Sequence, residues 1–178
     1  PVVGAIGEKA TADQIVPQIQ DACASPEVGA VVLHIRSEGG SPSQAHRIAR
    51  AVERCRTGMR KPVTAVIQGM GASGAYLIAV SADRVVADDY AFVGSIGAYL
   101  ATMDVSEAAE RAGVKQRLFA SGEHKGMLSP WRSLGESQEA VAQALANDVA
   151  AVFRAYVERR RGEKLAGQGT DLFSAGSG

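Results

Sequence analysis

Two stretches in the first half of the chain limit what it can fold into. In each, a short apolar, strand-like run meets glycines and then gives way to a helical pattern. GAVVLHIR (29–36) runs into the loop SEGGSP (37–42), and a helix is expected over 43–56. PVTAVI (62–67) runs through QGMGASG (68–74) into a helix from about Ser73 to Ser81. An apolar run without alternation reads as a strand buried on both faces, as in a parallel sheet. His34 then reads as a core histidine.

The same alternation extends along the chain. Strands are expected at 2–7, 84–87 and 114–120, with a mixed strand and glycine turn at 91–100. Helices are expected at 12–24, with Pro17 limiting or kinking the first, and at 105–112, ending at Gly113. A long helix is expected from Ser137 to Arg161. Its apolar stripe would be Val141, Leu145, Val149, Val152, Phe153 and Tyr156, and Arg159, Arg160 and Arg161 would complement its C-terminal dipole. Strands alternating with helices argue for an α/β fold with a largely parallel sheet, in one domain.

Composition narrows the function classes. The 178 residues are 46% hydrophobic, enough for a single domain with a real core. Nineteen basic residues balance nineteen acidic ones, so there is no electrostatic case for nucleic acid. Arg47, Arg50, Arg54, Arg56 and Arg60 cluster in a helical stretch and read as a solvated face. Cys23 and Cys55 allow one disulfide, but their spacing does not require it. No cysteine or histidine cluster suggests a metal, and no cofactor is implied. No apolar run approaches the roughly 20 residues needed to span a bilayer. The chain opens on Pro1 and ends on DLFSAGSG, which reads as a piece or processed product of something longer.

The chemistry concentrates at Ser73. A strand, a sharp glycine turn, a serine and a helix outline a nucleophile elbow, which lifts a hydroxyl clear of the sheet. Gly74 lets an oxyanion approach the backbone at a helix N-terminus. The strict G-x-S-x-G pattern fails at Ala75, and a tight turn needing small residues explains the same stretch. The glycine turn ending the preceding strand offers a second amide, from Gly39 or Gly40. Both turns lie beyond strand carboxyl ends, where open α/β sheets bind ligands. The base is undecided on these grounds. His124, after an acidic residue such as Asp83, Asp88, Asp89 or Asp104, would give a Ser…Asp…His order. Lys125 is the competitor and requires a strongly lowered pKa.

Four segments in order resemble the serine–lysine peptidases of the signal peptide peptidase A family, which share the Clp-protease/crotonase fold. RSEGGSPSQAHRIARAV (36–52) is similar to the family's R/N-S-P-G-G loop and following helix. GASGAYLIAVSADRVVAD (71–88) is similar to its A-A-S-G-G-Y block. VGSIGAYL (93–100) resembles its G-S-I-G-V element, and ASGEHKGMLSPWR (120–132) its S-G-x-Y-K-D segment.

The resemblance implies a spiral of parallel strands and helices. It makes residues 1–162 a peptidase domain lacking the family's closing C-terminal element, with 163–178 a weakly ordered tail. Ser73 would be the nucleophile, Lys125 the general base and Ser95 the residue that orients the lysine. Gly74 and Gly40 would form the oxyanion hole, with Gly39 and Ala72 binding substrate. The reaction would be hydrolysis of signal peptides or other extended apolar peptides through an acyl-enzyme. The family also implies a homo-oligomeric ring with the dyad shared between subunits, a membrane-associated full-length form, and a bacterial cell-envelope location. A phage head-assembly protease of the same superfamily is an alternative role. So are a Ser–His hydrolase using His124, a crotonase-like acyl-thioester site and a non-catalytic scaffold. Several positions depart from the pattern: Glu38 stands before the glycines in place of proline, Ala75 in place of glycine, and His124 and Gly126 flank Lys125 in place of tyrosine and aspartate.

Overall fold

A computed structural model describes residues 1–165. Helices and strands alternate in the order β1 (Val2–Val3), α1 (Ala12–Ala24), β2 (Val31–Ser37), α2 (Pro42–Glu53), a π turn (Arg54–Gly58), β3 (Val63–Ala72), α3 (Gly74–Val80), β4 (Arg84–Ala87), β5 (Phe92–Gly94), α4 (Ser106–Arg111) and α5 (Glu136–Leu165). Contacts group the chain into two compact units. One comprises Pro1–Gly97 and the part of α5 from Ala150, and the other is Ala98–Val149.

The first unit holds the sheet, and every pairing in it is parallel. β3 is its axis. β2 pairs along one side of β3, while β4 and then β5 pair with successive halves of it. Between the rungs Ile35↔Ile67 and Ser37↔Gly71, β3 carries two more residues than β2. Gly69, at φ 75°, lies inside this bulge, a backbone region that glycine enters without steric cost. There β3 leaves β4, after Ile67, and takes up β5, from Met70.

One face of the sheet makes the core. Val31, Leu33, Ile35, Val63, Ala65 and Ile67 pack with Ile15 and Ile19 of α1, Ile48 and Val52 of α2 and Ile78 of α3. β2 alternates strictly between buried and exposed, which corrects the expectation of burial on both faces. His34 is therefore not a core residue: it lies on the open face, where Val32 is 54% exposed. The helices α1, α2 and α3 contribute to the one covered face, and strand period 2 sends every other side chain away from it.

α1 runs through Pro17 unbroken, with the Thr11 amide donating to Gln14 Oε1 at its start. Cys23 at the end of α1 and Cys55 in the π turn form a disulfide with a Cα separation of 5.5 Å. It closes a 32-residue separation, worth about 3–4 kcal/mol in the chain-entropy account.

The end of α5 packs on the back of α2 and α3 through Phe153, Tyr156 and Val157, which meet Ala49, Leu77 and Val80. The stripe expected along α5 is thus corrected. Leu145, Val149 and Val152 are exposed, and Val157 belongs to the buried set. The triple arginine is corrected too. α5 continues past Gly162, and Arg160 reaches instead to the carbonyls of Val80, Ser81 and Ala82 at 3.0–3.1 Å, closing the C-terminal end of α3. The Tyr156 hydroxyl donates to Glu53 at 2.7 Å. Burial, then the Glu53 carboxylate, pushes the Tyr156 phenol well above its usual range.

The second unit is built differently. It contains α4 and the start of α5, and residues 114–120 form no strand, contrary to expectation. Among its described residues, Ala109 alone is buried, while Tyr99, Met103, Phe119 and Trp131 are exposed. Surface hydrogen bonds tie it together. The Val105 amide donates to Pro130 O at 2.8 Å, and Ser106 donates from both backbone and hydroxyl to Asp104, holding that carboxyl below its ordinary range. The expected tail 163–178 is helical in α5 as far as Leu165, and its remainder lies outside the described residues.

Candidate active site

β3 delivers its last residue, Ala72, onto Gly94 of β5, and Ser73 and Ser95 follow that rung on adjacent parallel strands. Both are non-glycine residues in the left-handed region, Ser73 at φ 51° and ψ −123° and Ser95 at φ 52°. Such backbone conformations cost about 1–3 kcal/mol each and persist only where the surroundings impose them. At Ser73 the imposing groups are visible. Its amide donates to Gly94 O at 2.8 Å, and its carbonyl accepts from the Leu77 amide at 3.0 Å, in the first turn of α3. The serine is half-buried, and among the described residues its hydroxyl makes no hydrogen bond. This is the strained strand-to-helix turn expected of a nucleophile elbow.

The second glycine turn closes directly on the first. Gly39 sits at φ 104°, and a Cβ there would lie 2.7 Å from Ser73 Cβ, 2.8 Å from Ala72 O and 2.9 Å from Gly74 N. No side chain fits between the two turns. The Gly39 amide is already committed to Ser37 Oγ at 3.1 Å, in buried surroundings. The Gly40 amide has no such partner among the described residues, and it lies 3.6 Å from where a Cβ on Gly74 would stand. Of the two glycines offered by the sequence, Gly40 is thus the one with an available N–H beside Gly74. Ala45 of α2 packs against Gly74 from the other side, 3.1 Å from the same Cβ position.

Ile6 holds this loop, and it was not foreseen. Its amide donates to Gly39 O at 2.7 Å and its carbonyl accepts from Ser41 N at 2.9 Å. A Cβ on Gly40, at φ 138°, would collide with the Ile6 carbonyl. Ile6 lies in the stretch 2–7 expected as a strand, of which only Val2–Val3 forms one, and side-chain pattern gives no signal of a backbone clamp. Glu38, the departure nearest the glycines, is exposed.

Ser73, Gly74, Gly39, Gly40, Ala72 and Ser95 thus gather in the first unit. Lys125 belongs to the second unit, in a tight turn where its amide donates to Gly122 O at 3.1 Å and Met127 donates to His124 O at 3.2 Å. Its side chain is exposed. His124 is half-buried, and its Nδ1 is enclosed without a hydrogen-bond partner among the described residues. The glycine that stands in place of an aspartate has a local reason. Gly126 is at φ 81°, and a Cβ on it would fall 2.9 Å from Leu118 Cδ2. Among the described residues no group of three or more His, Cys, Asp or Glu could hold a metal ion, and no helix is long and apolar enough to cross a membrane.

Comparison with known proteins places the chain in a family. The profile of Peptidase family S49 matches residues 56–168, a span that takes in Ser73, Ser95 and Lys125. The chain is 33% identical over 156 residues to the Na(+)/H(+) antiporter NhaA of Brucella abortus, covering 88% of this chain and 21% of that protein. It is 31% identical over 130 residues to capsid assembly protease C of Escherichia phage lambda, covering 73% of this chain and 29% of that one. It is 36% identical over 102 residues to protease 4 of Salmonella typhi, covering 57% of this chain and 16% of that one. The chain spans less than a third of the length of each of these relatives. Its parallel α/β architecture is the one a Clp-protease-like peptidase requires, and the family match covers the elbow and everything described after it. The chain belongs to peptidase family S49, the family of signal peptide peptidase A.

Proposed function

We propose that this chain is the catalytic region of a serine endopeptidase that cleaves extended apolar peptides, signal peptides among them, through an acyl-enzyme on Ser73. The observation that carries the reading is the contact of the two glycine turns. It sets a strained, half-buried serine beside the two amides of Gly74 and Gly40. An acyl-transfer site needs this combination, a nucleophile displayed next to donors preorganised for developing oxyanion charge.

In the proposed reaction, neutral Lys125 takes the proton from Ser73 Oγ as the oxygen attacks the scissile carbonyl. The tetrahedral oxyanion accepts hydrogen bonds from Gly74 and Gly40. The lysine then protonates the leaving amine as the C–N bond breaks. Water, deprotonated by the again neutral Lys125, attacks the ester, and the lysine returns that proton to Ser73 Oγ as the C–O bond breaks. Ser95 orients the lysine, while Gly39 and Ala72 lie along the substrate backbone. Lysine can act in this way only when its charged form is desolvated. Assembly would supply that environment. The exposed Tyr99, Met103, Phe119 and Trp131 of the second unit give it an apolar surface for a neighbouring copy. A ring in which the dyad is shared between subunits follows from this reading. The disulfide supports an oxidising location such as the cell envelope.

Ser73→Ala and Lys125→Ala should each lower peptide hydrolysis by about 10³-fold or more with the fold retained. A serine-directed acylating reagent should add its mass at Ser73. The unpartnered Nδ1 of His124 favours one second reading, a Ser–His hydrolase. Activity that survives Lys125→Ala but is lost in His124→Ala would establish it. Absence of any label on Ser73 would instead point to an acyl-thioester site or a scaffold.

A further inference from the structure

α1 and α2 enclose a surface cleft of about 380 Å³ in the first unit, lined by Val16, His46, Arg47, Arg50 and Arg54. The cleft is fixed at both ends. At one, the Ala12 amide donates to Gln44 Oε1 at 2.7 Å, and Arg47 pairs with Asp13 at 2.6 Å. At the other, the Cys23–Cys55 disulfide joins the end of α1 to the π turn that follows α2. His46, Arg50 and Arg54 are four residues apart in turn, so their side chains share one ridge of α2. Arg54 opens the π turn, a rare element that is frequent at functional sites.

Among the described residues, the charges of Arg50 and Arg54 are not neutralised: no carboxylate lies within ion-pair distance of either. Three arginines less Asp13 leave a formal charge of 3 − 1 = +2 around the cleft. Like charges four residues apart on a helix repel one another. The α2 dipole favours cations near its C-terminal end, but His46 and Arg47 lie too far from that end to benefit. A bound dianion would relieve the repulsion. Guanidinium groups match phosphate oxygens in bidentate pairs, and Val16 offers an apolar wall for the organic group attached.

We infer that the α1–α2 cleft is a binding site for a phosphate-bearing anion, separate from the peptidase site. A free phosphate monoester and a lipid headgroup present the same phosphate, and the two sources are separable. Inorganic phosphate is titrated into the protein at physiological ionic strength, followed by isothermal calorimetry. In parallel, the protein is sedimented with phosphatidylcholine vesicles with and without phosphatidic acid. Saturable phosphate binding, weakened about tenfold by Arg50→Ala or Arg54→Ala and unchanged by Arg84→Ala on the exposed sheet, supports the site with a soluble ligand. Binding confined to phosphatidic acid vesicles, with the same arginine dependence, supports it with a lipid headgroup. Absence of binding to both probes, or binding that Arg50→Ala and Arg54→Ala leave intact, overturns the inference. Thermal unfolding of each variant checks that these exposed substitutions leave the fold unchanged.

Discussion

The unit that carries Ser73 and the unit that carries Lys125 are built on opposite plans. Around Ser73, three helices cover one sheet face, a disulfide ties α1 to the π turn, and backbone hydrogen bonds hold the reactive turn from both sides. Around Lys125, among the described residues, Ala109 is the buried residue and the structure is held by turns and surface hydrogen bonds. Burial of apolar area is the main source of fold stability. The geometry at Ser73 is therefore set by packing inside its own unit, whereas the Lys125 turn has little core of its own to fix it.

The largest test of this contrast is Gly40→Ala. The methyl group would meet the Ile6 carbonyl at a backbone angle that disfavours side chains, and displacement of the amide should lower kcat by about 10²-fold. Unchanged kcat would remove Gly40 from the oxyanion hole. Next, replacing Cys23 and Cys55 together with serine should cost about 3–4 kcal/mol in urea unfolding. Hydrogen exchange in residues 98–149 should hardly change if the two plans are independent. Arg160→Ala, which leaves the carbonyls of Val80, Ser81 and Ala82 without their donor, should cost about 2 kcal/mol.

Tyr156→Phe should cost about 1 kcal/mol and also alter the alkaline limb of stability. The folded phenol titrates above its unfolded value. Its contribution is therefore complete below about pH 10 and declines as pH rises above that. Phe153 and Val157 beside it do not titrate, so in Tyr156→Phe this part of the decline should vanish. Equal alkaline limbs in the two proteins would contradict the burial of the hydroxyl. The smallest effect on the isolated chain belongs to the second unit. Phe119→Ser, at a site 92% exposed, should change chain stability by less than about 0.5 kcal/mol while loosening any assembly seen by sedimentation.

The same contrast governs what could be read from the sequence. β4 falls on the expected residues 84–87, and α2, α3 and the two glycine turns fall close to theirs. In these segments local pattern and packing agree. The stretch 114–120 has a strand's composition, but a strand exists only by pairing, and composition names no neighbour. The stripe on α5 has a helix's period. Periodicity, however, does not say which turns meet a partner, and burial begins only at Phe153. At β2, His34 and Arg36 do alternate with Leu33 and Ile35, and only Val32 is apolar on the open face; reading the run as continuously apolar overstated its burial. At the site, the meeting of two glycine turns was legible from their shared position at strand ends. The clamp from Ile6 was not, because it is made by backbone atoms alone.

The bulge at Gly69 divides the labour of β3. Up to Ile67 the strand shares its edge with β4 and is anchored in the hydrophobic core; from Met70 it shares its edge with β5 and ends one residue before Ser73. A single strand thus works as a foundation at one end and holds the Ser73 turn at the other, with a joint between. Substitutions on β4 should be felt as stability, and substitutions on β5 as the alignment of Ser73, so each property can be adjusted with little disturbance of the other.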